Sequence, residues 1–104
     1  MFKMATALFT AIIEALNQPF AVEILTFLLS KGEAKLSDIL VFVSGISKYR
    51  SVRKTILTLE SVGLITKTVT TWGKAKKWHI KLTQLGEKIA RSIIDAIKKV
   101  IGEF

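Results

Sequence analysis

Apolar residues at positions 5, 8, 9, 12, 13 and 16 recur at three- and four-residue steps. That spacing lines one face of an α-helix and predicts a first helix over residues 2–16. Asn17-Gln18-Pro19 interrupts the pattern, and a proline suits the first turn of a following helix. Ile24, Leu25, Leu28 and Leu29 then predict a second helix over 20–31, closed by Gly32, the residue helices favour just past their C-terminus. Lys35-Leu36-Ser37-Asp38 is expected to open a short third helix, with Leu36, Ile39, Leu40 and Val43 turned inward. Ser44-Gly45-Ile46-Ser47 reads as a tight turn, in which Ser47 is the N-cap of a fourth helix. That helix runs from about Lys48 to Val62, with Val52, Ile56 and Leu59 at i, i+4 and i+7, and Gly63 closes it.

The period then changes from 3.6 to 2. Ile65, Lys67, Val69 and Thr71 alternate with three threonines, and Trp78, Ile80 and Leu82 alternate with Lys77, His79 and Lys81. β-Branched, alternating runs of this kind suit strands. Trp72-Gly73-Lys74-Ala75-Lys76 between them is a basic hairpin tip. Thr83 caps a final helix through about Ile101, whose apolar stripe is Ile89, Ile93, Ile97, Val100 and Ile101. The expected fold is mainly α with a small β-hairpin wing (α+β). It is a winged helix-turn-helix with additional N- and C-terminal helices.

A length of 104 residues allows one domain, taken as 1–104, and half of the residues are apolar. A chain of this size buries roughly two-thirds of its unfolded surface, enough for a core without disulfides or a structural metal. Cysteine is absent and His79 is the single histidine. Thiolate sites, cysteine nucleophiles and multi-histidine metal clusters within one chain are thereby excluded. No cofactor and no metal are expected. The opening apolar run is only ten residues between Lys3 and Glu14, too short to span a bilayer. A cytoplasmic protein with no membrane partner is the expectation.

The net charge of +8 is unevenly placed. Residues 44–81 hold nine basic side chains and one acid, Glu60, whereas the segments on either side are close to neutral. Charge concentrated in this way reads as a binding surface for a polyanion. Two short helices joined by a turn and followed by a hairpin suit duplex DNA, because a helix fits the major groove and the preceding helix crosses the backbone. With Val52, Ile56 and Leu59 inside, Lys48, Arg50, Ser51 and Lys54 fall on the opposite face, with Arg53 at its flank. Arg50 has the planar fork that bonds both guanine acceptors, while Lys54 suits either a base or a phosphate. On the wing, Lys74, Lys76 and Lys77 are expected on phosphate. Trp72 is either a groove contact or a plain surface aromatic, and Trp78 belongs to the core. The candidate DNA-binding residues are therefore Ser47, Lys48, Arg50, Ser51, Arg53 and Lys54 on the helix and Trp72, Lys74, Lys76 and Lys77 on the wing.

The run from Ala21 to Ala90 resembles winged-helix transcriptional regulators of the MarR and ArsR type, especially small archaeal members. Leu36-Ser37-Asp38-Ile39 and Ser44-Gly45-Ile46-Ser47 look like the family's second helix and turn. Leu59-Glu60-Ser61-Val62-Gly63-Leu64-Ile65 looks like its exit from the recognition helix, and Leu82-Thr83-Gln84-Leu85-Gly86 like the lead-in to its last helix. The resemblance implies double-stranded DNA binding by a homodimer, with Lys48, Arg50, Ser51, Arg53 and Lys54 on the recognition helix. The cysteine or histidine clusters of metal-sensing members are missing, and the sequence names no small-molecule effector.

The surplus of apolar residues in the terminal helices supports the dimer. Segments 1–16 and 83–103 are the expected dimerisation elements, through Ile12, Ile13, Ile93, Ile97 and Ile101. The rival reading is a winged-helix protein-interaction adaptor in a transcription or other assembly, since fold alone does not settle function. An adaptor has no need of basic residues on both recognition helix and wing. No nucleophile–histidine–acid set, glycine-rich phosphate loop or paired carboxylate motif appears, so an enzyme is not expected.

Overall fold

The structure, a computed structural model, describes residues 2–43 and 48–102. The chain order is α1 (Phe2–Leu16), α2 (Ala21–Lys31), β1 (Glu33–Lys35), α3 (Leu36–Phe42), α4 (Tyr49–Ser61), β2 (Ile65–Trp72), β3 (Ala75–Leu82) and α5 (Gln84–Ile101). The strands form one antiparallel sheet in the order β1-β3-β2. This is the expected α+β arrangement with one addition. Glu33–Lys35 pairs with β3, Ala34 opposite Ile80, and buries Ala34. Three residues carry no readable alternation, so this strand exists only because β3 lies beside it.

The core is built where the inner faces of the helices meet one face of the sheet. Ile24, Leu25 and Leu28 of α2, Ile39 of α3, Val52, Ile56 and Leu59 of α4, Leu64, and Ile80 of β3 are fully buried. Each such aliphatic side chain contributes roughly 1.5–3 kcal/mol relative to exposure. Ala15 and Ala90 bring α1 and α5 onto this core.

Between α1 and α2 the chain turns through 90°. Pro19 does not enter the first turn of α2, contrary to expectation. Phe20 takes a left-handed conformation at φ 64° and the helix begins at Ala21. That conformation costs a non-glycine residue about 1–2 kcal/mol. The corner is held from outside by α4, where buried Thr55 donates its hydroxyl to the Pro19 carbonyl at 2.7 Å.

α4 ends on a glycine at φ 82°, with Gly63 N–H donating to the Glu60 carbonyl and Leu64 N–H to that of Leu59 at 3.0 Å. This is the paired-bond terminus that a left-handed residue permits. The wing turn is tighter than expected. Trp72 pairs with Ala75, so only Gly73 and Lys74 lie in the turn, with Gly73 at φ 64°. Lys76 therefore belongs to β3, opposite Thr71.

Candidate nucleic-acid interface

Three kinds of position run along α4. Val52, Thr55, Ile56 and Leu59 point inward and have no exposed surface. Arg50, Lys54, Leu57 and Ser61 form the outward stripe, and all are exposed. Ser51 and Arg53 lie on opposite flanks. Two strong donors on the first two turns are what base edges and phosphates require of a helix entering the major groove. Lys48 is exposed immediately before the helix, while Ser47 lies outside the described residues.

Leu57, 42% exposed, is a member of the stripe that an apolar-in, polar-out reading overlooks. Its signal was angular. It stands about one turn beyond Lys54 and nearly opposite Leu59, two residues on, so the core residues already assigned exclude it from the inside.

The wing presents its lysines less uniformly than a five-residue tip would. Lys74 sits in the turn, and Lys76 and Lys77, adjacent on β3, start from opposite faces of the strand. All three are exposed. Lys81 is exposed on the same strand, and half-buried His79 lies between the β1 and β2 neighbours with its Nε2 3.1 Å from Thr70 Oγ1. The Trp72 side chain lies outside what the structure describes.

Helix and wing adjoin. Tyr49 of α4, Lys35, Leu36, Ser37 and Leu40 around α3, and Lys76, Lys77 and Trp78 of β3 line one cleft of about 320 Å³. Three lysines and two hydroxyl-bearing side chains, Ser37 and Tyr49, are among its lining. The α3 end is fixed by the Asp38 carboxylate, which accepts the Lys35 N–H at 3.2 Å.

Arg53 occupies a different situation from Arg50 and Lys54. Its guanidinium carbon lies 4.6 Å from the Trp78 ring centroid, and its Nη1 donates to Tyr49 Oη at 3.2 Å. Lys67 Nζ lies 4.3 Å from the same ring and 3.6 Å from Glu60 Oε1. Trp78 is core, as expected, with 9% of its surface exposed. Arg53 had no signal in strand alternation, because its approach depends on how α4 crosses the sheet, whereas Lys67, opposite Ile80, shares the Trp78 face through the β2–β3 register.

Among the described residues no three histidine or acidic side chains gather as a metal site would need. No single helix among them is long and apolar enough to cross a membrane.

The backbone matches a transcriptional regulator homologue from Pyrococcus horikoshii OT3 with a TM-score of 0.70 and 22% sequence identity, over 86% of this chain and 87% of that one. It also matches NadR, solved in complex with 4-hydroxyphenylacetate, with a TM-score of 0.56 and 21% identity, over 98% of this chain and 78% of that one. No family model matches the chain, and no curated protein matches it in sequence. At this level of identity what is shared is the architecture. The chain has the winged-helix fold of these regulators, the fold that the resemblance implied.

Proposed function

We propose that this protein is a sequence-specific, double-stranded DNA-binding transcriptional regulator that acts as a homodimer. α4 enters the major groove, and the wing lies on the backbone or in the adjoining minor groove. The observation that carries the reading is that the wing lysines Lys76 and Lys77 line one cleft with Tyr49, the first residue of α4, while Lys48, Arg50 and Lys54 are exposed at that helix's start. Arg50 reads a guanine, Lys54 a base or the flanking phosphate, and Ser51 permits close approach. Leu57 suits a thymine methyl group further along the groove. Lys74, Lys76 and Lys77 hold phosphates. A protein adaptor would gain nothing from cations on both elements, which favours DNA over that rival.

Two features support the dimer. The accessible surface is 7446 Å², against about 5,800 Å² expected of a compact monomer of this mass. The Cα radius of gyration is 14.7 Å, above the roughly 13 Å typical of a 100-residue domain. The terminal helices carry exposed apolar side chains. Leu8, Phe9 and Ile13 on α1, with Ile97, Val100 and Ile101 on α5, are between 43% and 67% exposed. Ile12, one of the expected interface residues, packs instead against its own core. A two-fold dimer would set two α4 helices about one DNA turn apart.

The test is anisotropy titration of the whole protein on random duplex and on a duplex selected from a random pool, each at two salt concentrations. Affinity should fall steeply with salt on both, through counterion release. Arg50→Ala should cost roughly 1–3 kcal/mol on the selected duplex and much less on random DNA. Equal losses on both would make Arg50 a phosphate clamp. Salt-independent or absent binding would overturn the DNA reading.

A further inference from the structure

Five side chains link the recognition helix to the wing in an unbroken series. Tyr49, in the first turn of α4, accepts the Arg53 guanidinium on its hydroxyl at 3.2 Å. Arg53 stands over the Trp78 ring at 4.6 Å, and Lys67 approaches the same ring at 4.3 Å. Lys67 then pairs with Glu60, near the last turn of α4, at 3.6 Å. The series therefore leaves α4 at one end, crosses β3 and β2, and returns to α4 at the other.

The setting makes these contacts stronger than their surface counterparts. Cation–π attraction grows as the partners lose water. Trp78 is 9% exposed, and the Lys67 side chain is 18% exposed. Two cations on one ring would repel each other, and Glu60 offsets one of them. A bond made to Trp78 also restricts Arg53, whose guanidinium is then held toward the sheet and away from the outward stripe of Arg50 and Lys54.

We infer that Arg53, Trp78 and Lys67 are positioning residues that fix the angle between recognition helix and wing, with Arg53 acting through Trp78 and not on DNA. The consequence for binding rests on the DNA reading above. A helix and a hairpin that must engage one duplex together bind best when their relative placement is settled beforehand, because no ordering cost then falls on the complex. Arg53, grouped with the DNA contacts on sequence grounds, is reassigned by this geometry.

Arg53→Met, Arg53→Lys, Trp78→Leu and the Arg53→Met/Trp78→Leu double variant of the full chain separate the two roles. In the free protein, hydrogen exchange at wing amides of β2 and β3 should quicken in Arg53→Met, with unchanged exchange in α2. On random duplex, Arg53→Met and Trp78→Leu should each lose affinity by about tenfold, and the double variant should lose no more than the weaker-binding single one. Arg53→Lys should bind like Arg53→Met, since a point charge lacks the planar group that stacks on the indole. A direct phosphate contact predicts the opposite on each count. Lysine would replace arginine, the losses would multiply in the double variant, and the salt slope would fall by about one unit in Arg53→Met alone. Either restoration by lysine or multiplied losses would overturn the inference. Should Trp78→Leu fail to fold, Lys67→Met takes its place in the same cycle. If the wild-type chain binds no duplex, the DNA reading fails while the exchange measurement still decides whether the latch exists.

Discussion

Where α4 gives way to the sheet and the sheet to α5, the chain satisfies itself. Thr83 donates its hydroxyl to the Gly63 carbonyl at 2.6 Å and accepts the Gly86 N–H at 3.0 Å, while its own N–H reaches the Leu64 carbonyl at 3.1 Å. Gly86 is buried against the backbone of Leu64. The outer faces of α1 and α5 are the opposite case. Phe9, Val100 and Ile101 are each more than 60% exposed, with nothing among the described residues to cover them. The first region has one solution, set by close backbone contact, and tolerates no added atom. The second has an unmet demand for an apolar partner. A domain this small can keep both because close packing at the junction does not depend on the outer faces of the terminal helices, the faces assigned to the proposed dimer.

The largest effect should come from adding a single carbon at the junction. A Cβ on Gly86 would collide with the Leu64 carbonyl oxygen and stand 2.9 Å from its carbon. That carbonyl cannot retreat without loosening its bond to Thr83. Gly86 has an ordinary φ, so the cost is one of space, not of conformation. Gly63 is the converse, with φ 82° and open space around it. Gly86→Ala should lower unfolding free energy by about 3 kcal/mol, the upper part of the range for overpacking. Urea denaturation measures it, and a loss below about 1 kcal/mol would mean that α5 can shift and that the junction is less determined than argued.

The outer faces should respond in the reverse manner, with little loss of fold and a large loss of association. Phe9 is 67% exposed and Ile101 64%, so charging them should leave the monomer's unfolding almost unchanged. Buried in a dimer, an apolar anchor is worth about 2 kcal/mol or more, near a thirtyfold change in dissociation constant. Sedimentation of Phe9→Glu and Ile101→Glu at tens of micromolar should therefore show monomers where the parent chain is dimeric. A monomeric parent chain would remove the contrast between the two regions altogether.

Much of this division was legible in the sequence. The Leu59–Ile65 and Leu82–Gly86 stretches were separable as motifs, and the fold shows that they are two sides of one junction. Their spacing along the chain could not reveal that Thr83 bridges to Gly63, twenty positions away across the hairpin. The helices and the two long strands followed from periodicity because each buries one face. β1 did not, because a three-residue strand is decided by its partner. Arg53 gave no sign of its contact with Trp78 for a similar reason. Helical spacing places it on the flank of α4, but which strand residue waits at that flank is a tertiary fact. Ile12 and Ile13 are neighbours of equal hydropathy, and only the crossing of α1 over the core turns one in and the other out.

The smallest effect is the most informative about the junction's chemistry. Thr83 stands at the N-cap of α5, where a hydroxyl accepting an N–H of the first turn typically contributes about 1 kcal/mol. Here the same oxygen also donates to Gly63, so its removal leaves a carbonyl and an amide without their partners. Gly86 N–H is part-buried, which keeps water from replacing the bond completely. Thr83→Ala should cost about 1–2 kcal/mol in urea denaturation. Thr83→Ser, which keeps the hydroxyl and loses only a methyl, should recover most of it. Thr83→Val, nearly the same shape without the hydroxyl, should behave like alanine or worse, because its bulk blocks water from the two abandoned groups. If valine instead matches threonine, shape and not hydrogen bonding closes the junction. The collision at Gly86 would then be the whole reason that this region folds in one way.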